Sequence, residues 1–145
     1  MELELDADVV LFLTGEIRSR IAELADPRFP AGGWVADREW APPASNPNAA
    51  PPAWQVIVRD DGISDDELST GEISVGLSVL AGSKQNTAPA RALARIVKAI
   101  VKQTPRPEAG NPVSAVSSFL GPYAVPEEST YARQYSACTL RVTTQ

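Results

Sequence analysis

Residues Glu72–Gln103, EISVGLSVLAGSKQNTAPARALARIVKAIVKQ, contain the two clearest hydrophobic patterns of the chain. The first part alternates apolar with small polar residues, which is typical of a half-buried strand. Its apolar residues are Ile73, Val75, Leu77 and Val79. The second part repeats apolar residues three and four positions apart, which indicates one side of an amphipathic helix. These residues are Leu93, Ile96, Val97, Ile100 and Val101. Because each element has one apolar face, we expect both to pack in a common core.

The remaining sequence predicts one more helix and three more strands. The helix begins after Asp6 or Asp8 and ends near Leu24. Its predicted buried side consists of Val10, Leu13, Ile17, Ile21 and Leu24. The strands are predicted over residues 54–59, 113–120 and 133–143, with breaks at Gly121-Pro122-Tyr123 and Pro126-Glu127-Glu128. The prediction is therefore a single α/β (α+β) domain over residues 1–145 in the order αββαββ, with a mixed or antiparallel four-stranded sheet and both helices on one face.

Residues 27–53 are predicted to form a long proline-rich loop without regular structure. Seven of the thirteen prolines lie between residues 25 and 53, and no hydrophobic period is present there. Two interpretations remain open for Trp34 and Trp40: they cover an edge of the core, or they anchor a partner protein.

Composition places the chain among ordinary globular proteins. It has 145 residues, of which 43% are hydrophobic, and its single cysteine, Cys138, lies in an alternating apolar run. We predict that this cysteine is a small buried side chain, which suits a reducing compartment. The N-terminal residues are acidic and no apolar run reaches the roughly 20 residues needed to cross a bilayer, so neither secretion nor membrane insertion is expected.

Charge is strongly segregated along the sequence. The net charge of -5 argues against general nucleic-acid affinity. Residues 60–72 contain six acids and no base, whereas residues 73–107 contain six bases and no acid. Either block is consistent with a solvated surface, and together they would also suit head-to-tail association of identical copies.

Few residues suit catalysis or metal binding. The chain has no histidine and no phosphate-binding glycine motif. The paired carboxylates of the loop Asp60–Glu67 could hold a hard cation or serve as acid and base in sugar hydrolysis. Their spacing matches no calcium-binding loop, and a solvated turn offers no burial that would shift the pKa values of the carboxylates. We therefore expect no enzymatic activity, cofactor or metal.

The order of the elements resembles the tail terminator proteins of long-tailed bacteriophages. The resemblance rests on the first helix and on the segments PPAWQVIVRDDG, EISVGLSVLAGS, ARALARIVKAIVK and FLGPYAVPEESTYARQYSACTLRVTTQ. It covers the first helix and residues 51–145, and it does not cover residues 25–52.

This resemblance implies a structural virion protein that is assembled in the host cytoplasm. Such proteins form a hexameric ring that caps the tail tube, stops its polymerisation and meets head-completion or stopper proteins at the neck. DNA passes through the ring without sequence recognition.

Three groups of residues become candidate sites under this reading. The candidate lumen-lining acidic loop comprises Asp60, Asp61, Asp65, Asp66 and Glu67. The candidate subunit-contact face comprises Arg91, Arg95, Lys98 and Lys102, which are alternatively a plain solvent face. The candidate partner-contact loop carries Trp34 and Trp40. Three alternatives remain. The first is another neck component, a head-completion or stopper protein, and stoppers are usually small β-barrel-like domains. The second is a non-viral, monomeric α/β ligand-binding or adaptor module with a closed apolar pocket, and the third is a small carboxylate-dependent enzyme.

Overall fold

Two helices and five strands make up the part of the chain that the computed structural model describes, residues 8–64 and 70–143. Their bounds are α1 Val9–Leu24, β1 Trp34–Ala36, β2 Trp54–Ser64, β3 Thr70–Ala81, α2 Ala88–Lys102, β4 Val113–Val125 and β5 Ala132–Thr143. The predicted α+β class is confirmed, whereas the predicted number of four strands was too low.

The five strands form one mixed sheet in the order β1-β2-β3-β5-β4. β1 runs parallel to β2, and the other neighbours are antiparallel. β3 is therefore hydrogen-bonded along both of its edges, to β2 on one side and β5 on the other.

Both helices cover the same face of this sheet. α1 packs against β1 and β2, α2 packs against β3, β5 and β4, and the two helices contact each other. The alternating apolar side chains predicted for β3 are all buried beneath them. At α1, the carboxylate of Asp8 accepts a hydrogen bond from the Leu11 amide at 3.0 Å, which fixes the first turn. Neither helix is long and apolar enough to cross a membrane.

The buried side of α1 ends earlier than predicted. Leu13, Ile17 and Ile21 are buried, and Val10 is partly buried. Leu24 is 55% exposed, because it lies in the last turn, where the helix no longer has core beneath it. Helical period alone does not reveal where the neighbouring sheet stops.

The fifth strand comes from the segment predicted to be irregular. β1 pairs with β2 over three residues, with Val35 opposite Val56. Val35 is 4% exposed and belongs to the main core. Three residues are too few to show a period of two, so only the pairing with β2 defines this strand.

β4 continues through the break predicted at Gly121-Pro122-Tyr123 and ends at Val125. Its pairing with β5 shifts register between Leu120 and Tyr123, and Gly121 adopts a φ of 95°. Proline has no amide hydrogen, and an edge strand tolerates it because its outer side has no neighbour to receive a hydrogen bond. The sequence signal for a break therefore marks an irregularity within an edge strand.

The face of the sheet opposite the helices, here called the second face, is only partly covered. Ile57, Leu80 and Tyr131 form a small buried cluster on it. Gln55 and Ser78 are also buried there, at 4% exposure each. The cover comes from the proline-rich segment, whose contacts are described below.

Cys138 lies in β5 with 3% exposure, as predicted. Burial, with a smaller contribution from the Asp61 carboxylate, raises the pKa of this thiol from 9.0 to about 12. At about pH 8 the thiolate fraction should be roughly a thousandfold lower than in the unfolded chain. We expect very slow labelling by Ellman's reagent in the native protein and rapid labelling in denaturant. Equal rates in the two conditions would contradict the burial of this residue.

Candidate interaction surfaces

The predicted acidic loop is divided by the structure. Asp60 and Asp61 belong to β2, at a register shift between Asp60 and Gly62, and not to a solvated turn. Asp65, Asp66 and Glu67 lie outside the described residues. The prediction that all five share one loop is therefore wrong for the first two, because pairing with β3 extends the strand to Ser64.

The Asp61 side chain lies on the second face of the sheet and holds the Tyr135 side chain in place. Its Oδ2 accepts a hydrogen bond from the Tyr135 hydroxyl at 3.0 Å, and its Oδ1 lies 3.9 Å from the Arg59 guanidinium. Burial and this hydrogen bond raise the pKa of Tyr135 above its ordinary value of 10.0, so the phenol remains a hydrogen-bond donor into the alkaline range. The role of Asp61 in the monomer is thus to orient Tyr135.

The predicted basic face of α2 is confirmed as exposed for three of its four residues. Arg91, Arg95 and Lys102 are exposed. Within the described chain, Arg95 and Lys102 have no hydrogen-bond or ion-pair partner, whereas Arg91 donates to Thr87 Oγ1 at 2.5 Å.

Lys98 has a different role from its three neighbours. It is half-buried, its Nζ donates to the Gly121 carbonyl at 3.2 Å, and it lies 5.2 Å from the centre of the Phe119 ring. Lys98 therefore joins α2 to β4 within one copy of the protein.

Trp34 and Trp40 make contacts within their own chain. The Trp34 indole nitrogen donates to the Arg38 carbonyl at 2.7 Å, and the Arg38 guanidinium lies 5.8 Å from the centre of the indole ring. The Trp40 amide donates to Gln55 Oε1 at 3.0 Å. Both side chains are half-buried and neither belongs to the main core cluster, so the two predicted roles, covering an edge of the core and anchoring a partner, stay predictions.

Arg133 is the main anchor of the proline-rich segment on the second face. Its Nη1 donates to Glu39 at 2.9 Å and to Glu127 at 3.0 Å, and its Nη2 donates to the hydroxyl of Ser78 at 3.0 Å. A second anchor is the Tyr131 hydroxyl, which donates to the Pro52 carbonyl. Sequence reasoning did not assign a role to Arg133; the available signal was a charged residue at the start of an alternating strand.

Glu127 contributes to this anchor as an ionised group. Its partial burial would raise its pKa, but hydrogen bonds from Ser129 and Arg133 outweigh burial and lower it below 4.5. The ionised Glu127 carboxylate therefore stabilises the folded state at pH values above its pKa in the unfolded chain. This stabilisation is lost as the pH falls through the lower pKa that the group has in the folded protein.

The described residues provide no arrangement suited to a metal ion. In residues 8–64 and 70–143, no three histidine, cysteine or acidic side chains are grouped as ligands. An open cleft of about 950 Å³ lies between the start of α1 and the β1–β2 edge, and its lining mixes acids with bases: Asp8, Arg18, Asp37, Arg38, Arg59, Asp60 and Asp61.

Replacing Arg133 with methionine tests the anchor. Arg133→Met keeps the aliphatic stem but leaves the hydroxyl of the buried Ser78 without this donor. We expect the free energy of unfolding to fall by about 1–3 kcal/mol. Urea denaturation followed by tryptophan fluorescence would measure it.

Arg95→Met is the matched control, because Arg95 is exposed and has no partner in the described chain; a change below about 0.5 kcal/mol is expected. Equal losses in the two variants would show that Arg133 is not an anchor.

Comparison with known proteins gives a match of fold alone. No protein-family model and no curated protein matches the chain. Among solved structures, the fold matches a chain from the virion of a native gene transfer agent (GTA) particle, with a TM-score of 0.58 and 17% sequence identity. The match covers 96% of this chain and 100% of that chain, so the two share one architecture over nearly their whole length.

Proposed function

We propose that this chain is a structural virion protein that closes the end of a phage-type tail tube as a ring. The observation that carries the proposal is the fold shared with a chain of a gene transfer agent virion, over 96% and 100% of the two chains. A match of this extent spans nearly the whole chain rather than one common motif.

The role at the tail end is supported by the order of elements, which resembles that of phage tail terminators. The architecture also favours this role over that of a stopper protein. Stoppers are usually small β-barrel-like domains, whereas here two helices pack on one face of an open sheet whose outer strands are β1 and β4. The role is non-catalytic and uses no cofactor.

The partners follow from this position. Copies of the same chain form a hexameric ring, the tail tube protein contacts one side, and a head-completion or stopper protein contacts the other. DNA passes through the lumen, and the protein does not read its sequence. The exposed cations Arg91, Arg95 and Lys102 are available for contacts with these neighbours.

Assembly of the tube in the presence of this chain tests the proposal. When the purified protein is added to polymerising tail tube protein of the same virion, we expect shorter tubes with a ring-shaped cap at one end. Negative-stain electron microscopy would give the tube lengths, and native mass spectrometry would give the ring size. An unrelated protein of similar size and charge is the control.

If a molar excess of this protein over tail tube protein leaves the tube lengths unchanged and does not bind to the tube ends, the tail-end role is refuted. Binding to the head-completion protein without any effect on tubes would indicate another component of the neck.

Charge reversal tests whether Asp65, Asp66 and Glu67 of the candidate lumen-lining acidic loop face the DNA. We expect Asp65→Lys, Asp66→Lys and Glu67→Lys together to slow DNA ejection and leave ring assembly intact, because cations in the lumen would retain the phosphate backbone. Asp61 is kept, since it holds Tyr135.

The matched control reverses three exposed acids elsewhere, Glu23, Asp37 and Glu128, for the same change in net charge. Ejection kinetics that are equal in both variants would remove the lumen assignment.

A further inference from the structure

Residues 39–53, here called the strap, are attached to the second face between two points that the rest of the fold holds in place. Before the strap, the indole nitrogen of Trp34 donates to the Arg38 carbonyl at 2.7 Å. After the strap, Trp54 begins β2, is 5% exposed and donates from its indole nitrogen to the Pro30 carbonyl at 2.9 Å. The backbone can therefore change direction at either end of the strap without disturbing the sheet.

The start of the strap is held by side chains from one row of the sheet. Gln55 lies opposite Leu80 on β3, and Leu80 lies opposite Arg133 on β5, so these three side chains stand next to one another on the second face. Gln55 Oε1 accepts a hydrogen bond from the Trp40 amide at 3.0 Å. Arg133 donates to the Glu39 carboxylate at 2.9 Å.

The end of the strap is held through the same glutamine. The Tyr131 hydroxyl donates to the Pro52 carbonyl, and Gln55 Nε2 donates to the Tyr131 oxygen at 3.5 Å. Gln55 therefore takes part in the attachment of both ends, through its oxygen to Trp40 and through its amide nitrogen to Tyr131. Loss of the attachment at one end should weaken the attachment at the other.

The strap makes little apolar contact with the rest of the described chain. Of its fifteen residues, Trp40, Ala49 and Pro52 are half-buried and the others are exposed, and none belongs to either buried core cluster. Two backbone hydrogen bonds lie within it, from the Asn46 amide to the Pro43 carbonyl at 2.9 Å and from the Ala49 amide to the Asn46 carbonyl at 3.1 Å. Segments with few buried apolar contacts open at low free energy, and bonds within the strap are kept when it moves.

We propose that the strap opens from the second face as one unit while the sheet and the helices stay folded, and that the pair of Glu39 and Arg133 is its latch. Glu39 is the only charged residue of the strap. Its side chain is 55% exposed, so water can replace this contact at little cost. Arg133 keeps its hydrogen bonds to Glu127 and Ser78 when Glu39 leaves, so its charge stays paired.

Opening uncovers part of the second face on β2, β3 and β5. Gln55 and Ser78 are each 4% exposed in the closed form, and their polar groups then bond to water instead. Ile57 and Leu80, at 2% and 1% exposure, lose cover, which keeps the closed form favoured. The strap thus controls access to this face within one copy of the chain, independently of ring formation.

Hydrogen exchange of the purified full chain, followed by NMR at low urea concentrations, measures the opening. The Trp40 amide reports the strap, and the slowest amides of β3 report the core. We expect the Trp40 amide to exchange at least roughly tenfold faster than those of β3 and to respond little to urea, because opening the strap exposes little surface.

Two results in the wild-type protein would overturn the proposal. If the Trp40 amide shares the rate and the urea dependence of the slowest β3 amides, the strap opens only when the whole protein unfolds. If the Trp40 amide exchanges as fast as in the unfolded chain, the strap is not closed at all.

Two variants test the latch and the coupling of the ends. Glu39→Gln removes the charge of the latch, and we expect the Trp40 amide to exchange roughly threefold faster. Tyr131→Phe keeps the ring but removes the hydroxyl that holds Pro52, and we expect roughly fivefold faster exchange at Trp40, because Gln55 joins the two ends.

Asp37→Asn is the matched control. It removes the same charge two residues from Glu39, but the Asp37 carboxylate pairs with Arg38, which is outside the strap. We expect wild-type exchange at Trp40 in this variant. Equal exchange in Glu39→Gln and in the control would overturn the latch, and faster exchange in Glu39→Gln with none in Tyr131→Phe would overturn opening as one unit.

Discussion

The double pairing of β3 is the constraint on which the rest of the structure depends. β3 is hydrogen-bonded to β2 and β5 along its length, so it is an internal strand of the sheet. Its side chains point alternately to the two faces of the sheet, and each set must suit the surroundings on its own face. Its apolar row takes one face and is covered by α1 and α2. The other face carries Ser78 and Gly76, which are buried without being apolar, together with Leu80. The second face carries both a small apolar cluster and buried polar groups, so its cover must also supply hydrogen-bond partners.

The proline-rich segment supplies that cover through hydrogen bonds. Arg133 donates hydrogen bonds both to the Ser78 hydroxyl of the sheet and to Glu39 of the segment. Gln55 Oε1 accepts a hydrogen bond from the Trp40 amide. Buried polar groups are tolerated when they are paired, and these pairs also fix the path of a chain that has little regular structure. A segment with little regular structure is thereby fixed on the sheet at both of its ends.

The two edges of the sheet differ in length and in how they are protected. At β1, the Val35 carbonyl accepts a hydrogen bond from Arg18 of α1 at 2.7 Å, so the short edge is partly closed by its own chain. β4 is thirteen residues long, is uncharged and forms the opposite edge, where the Gly121 carbonyl is taken by Lys98. Register shifts interrupt β4 at three places. Such irregularities discourage strand-to-strand aggregation at an exposed sheet edge.

The sequence by itself determined the elements whose residues repeat with a clear period. The alternation in β3 and β5 and the stripe in α2 record which side of each element is buried, because one buried face imposes its period on the chain. Exposure of Arg91, Arg95 and Lys102 and burial of Cys138 follow from the same patterns. Only the tertiary structure decided that Val35 lies in a strand, that Lys98 holds β4, that Asp61 orients Tyr135 and that Arg133 anchors a segment ninety-four residues away at Glu39. Each of these depends on a contact between residues distant in sequence, and local periodicity carries no record of such a contact.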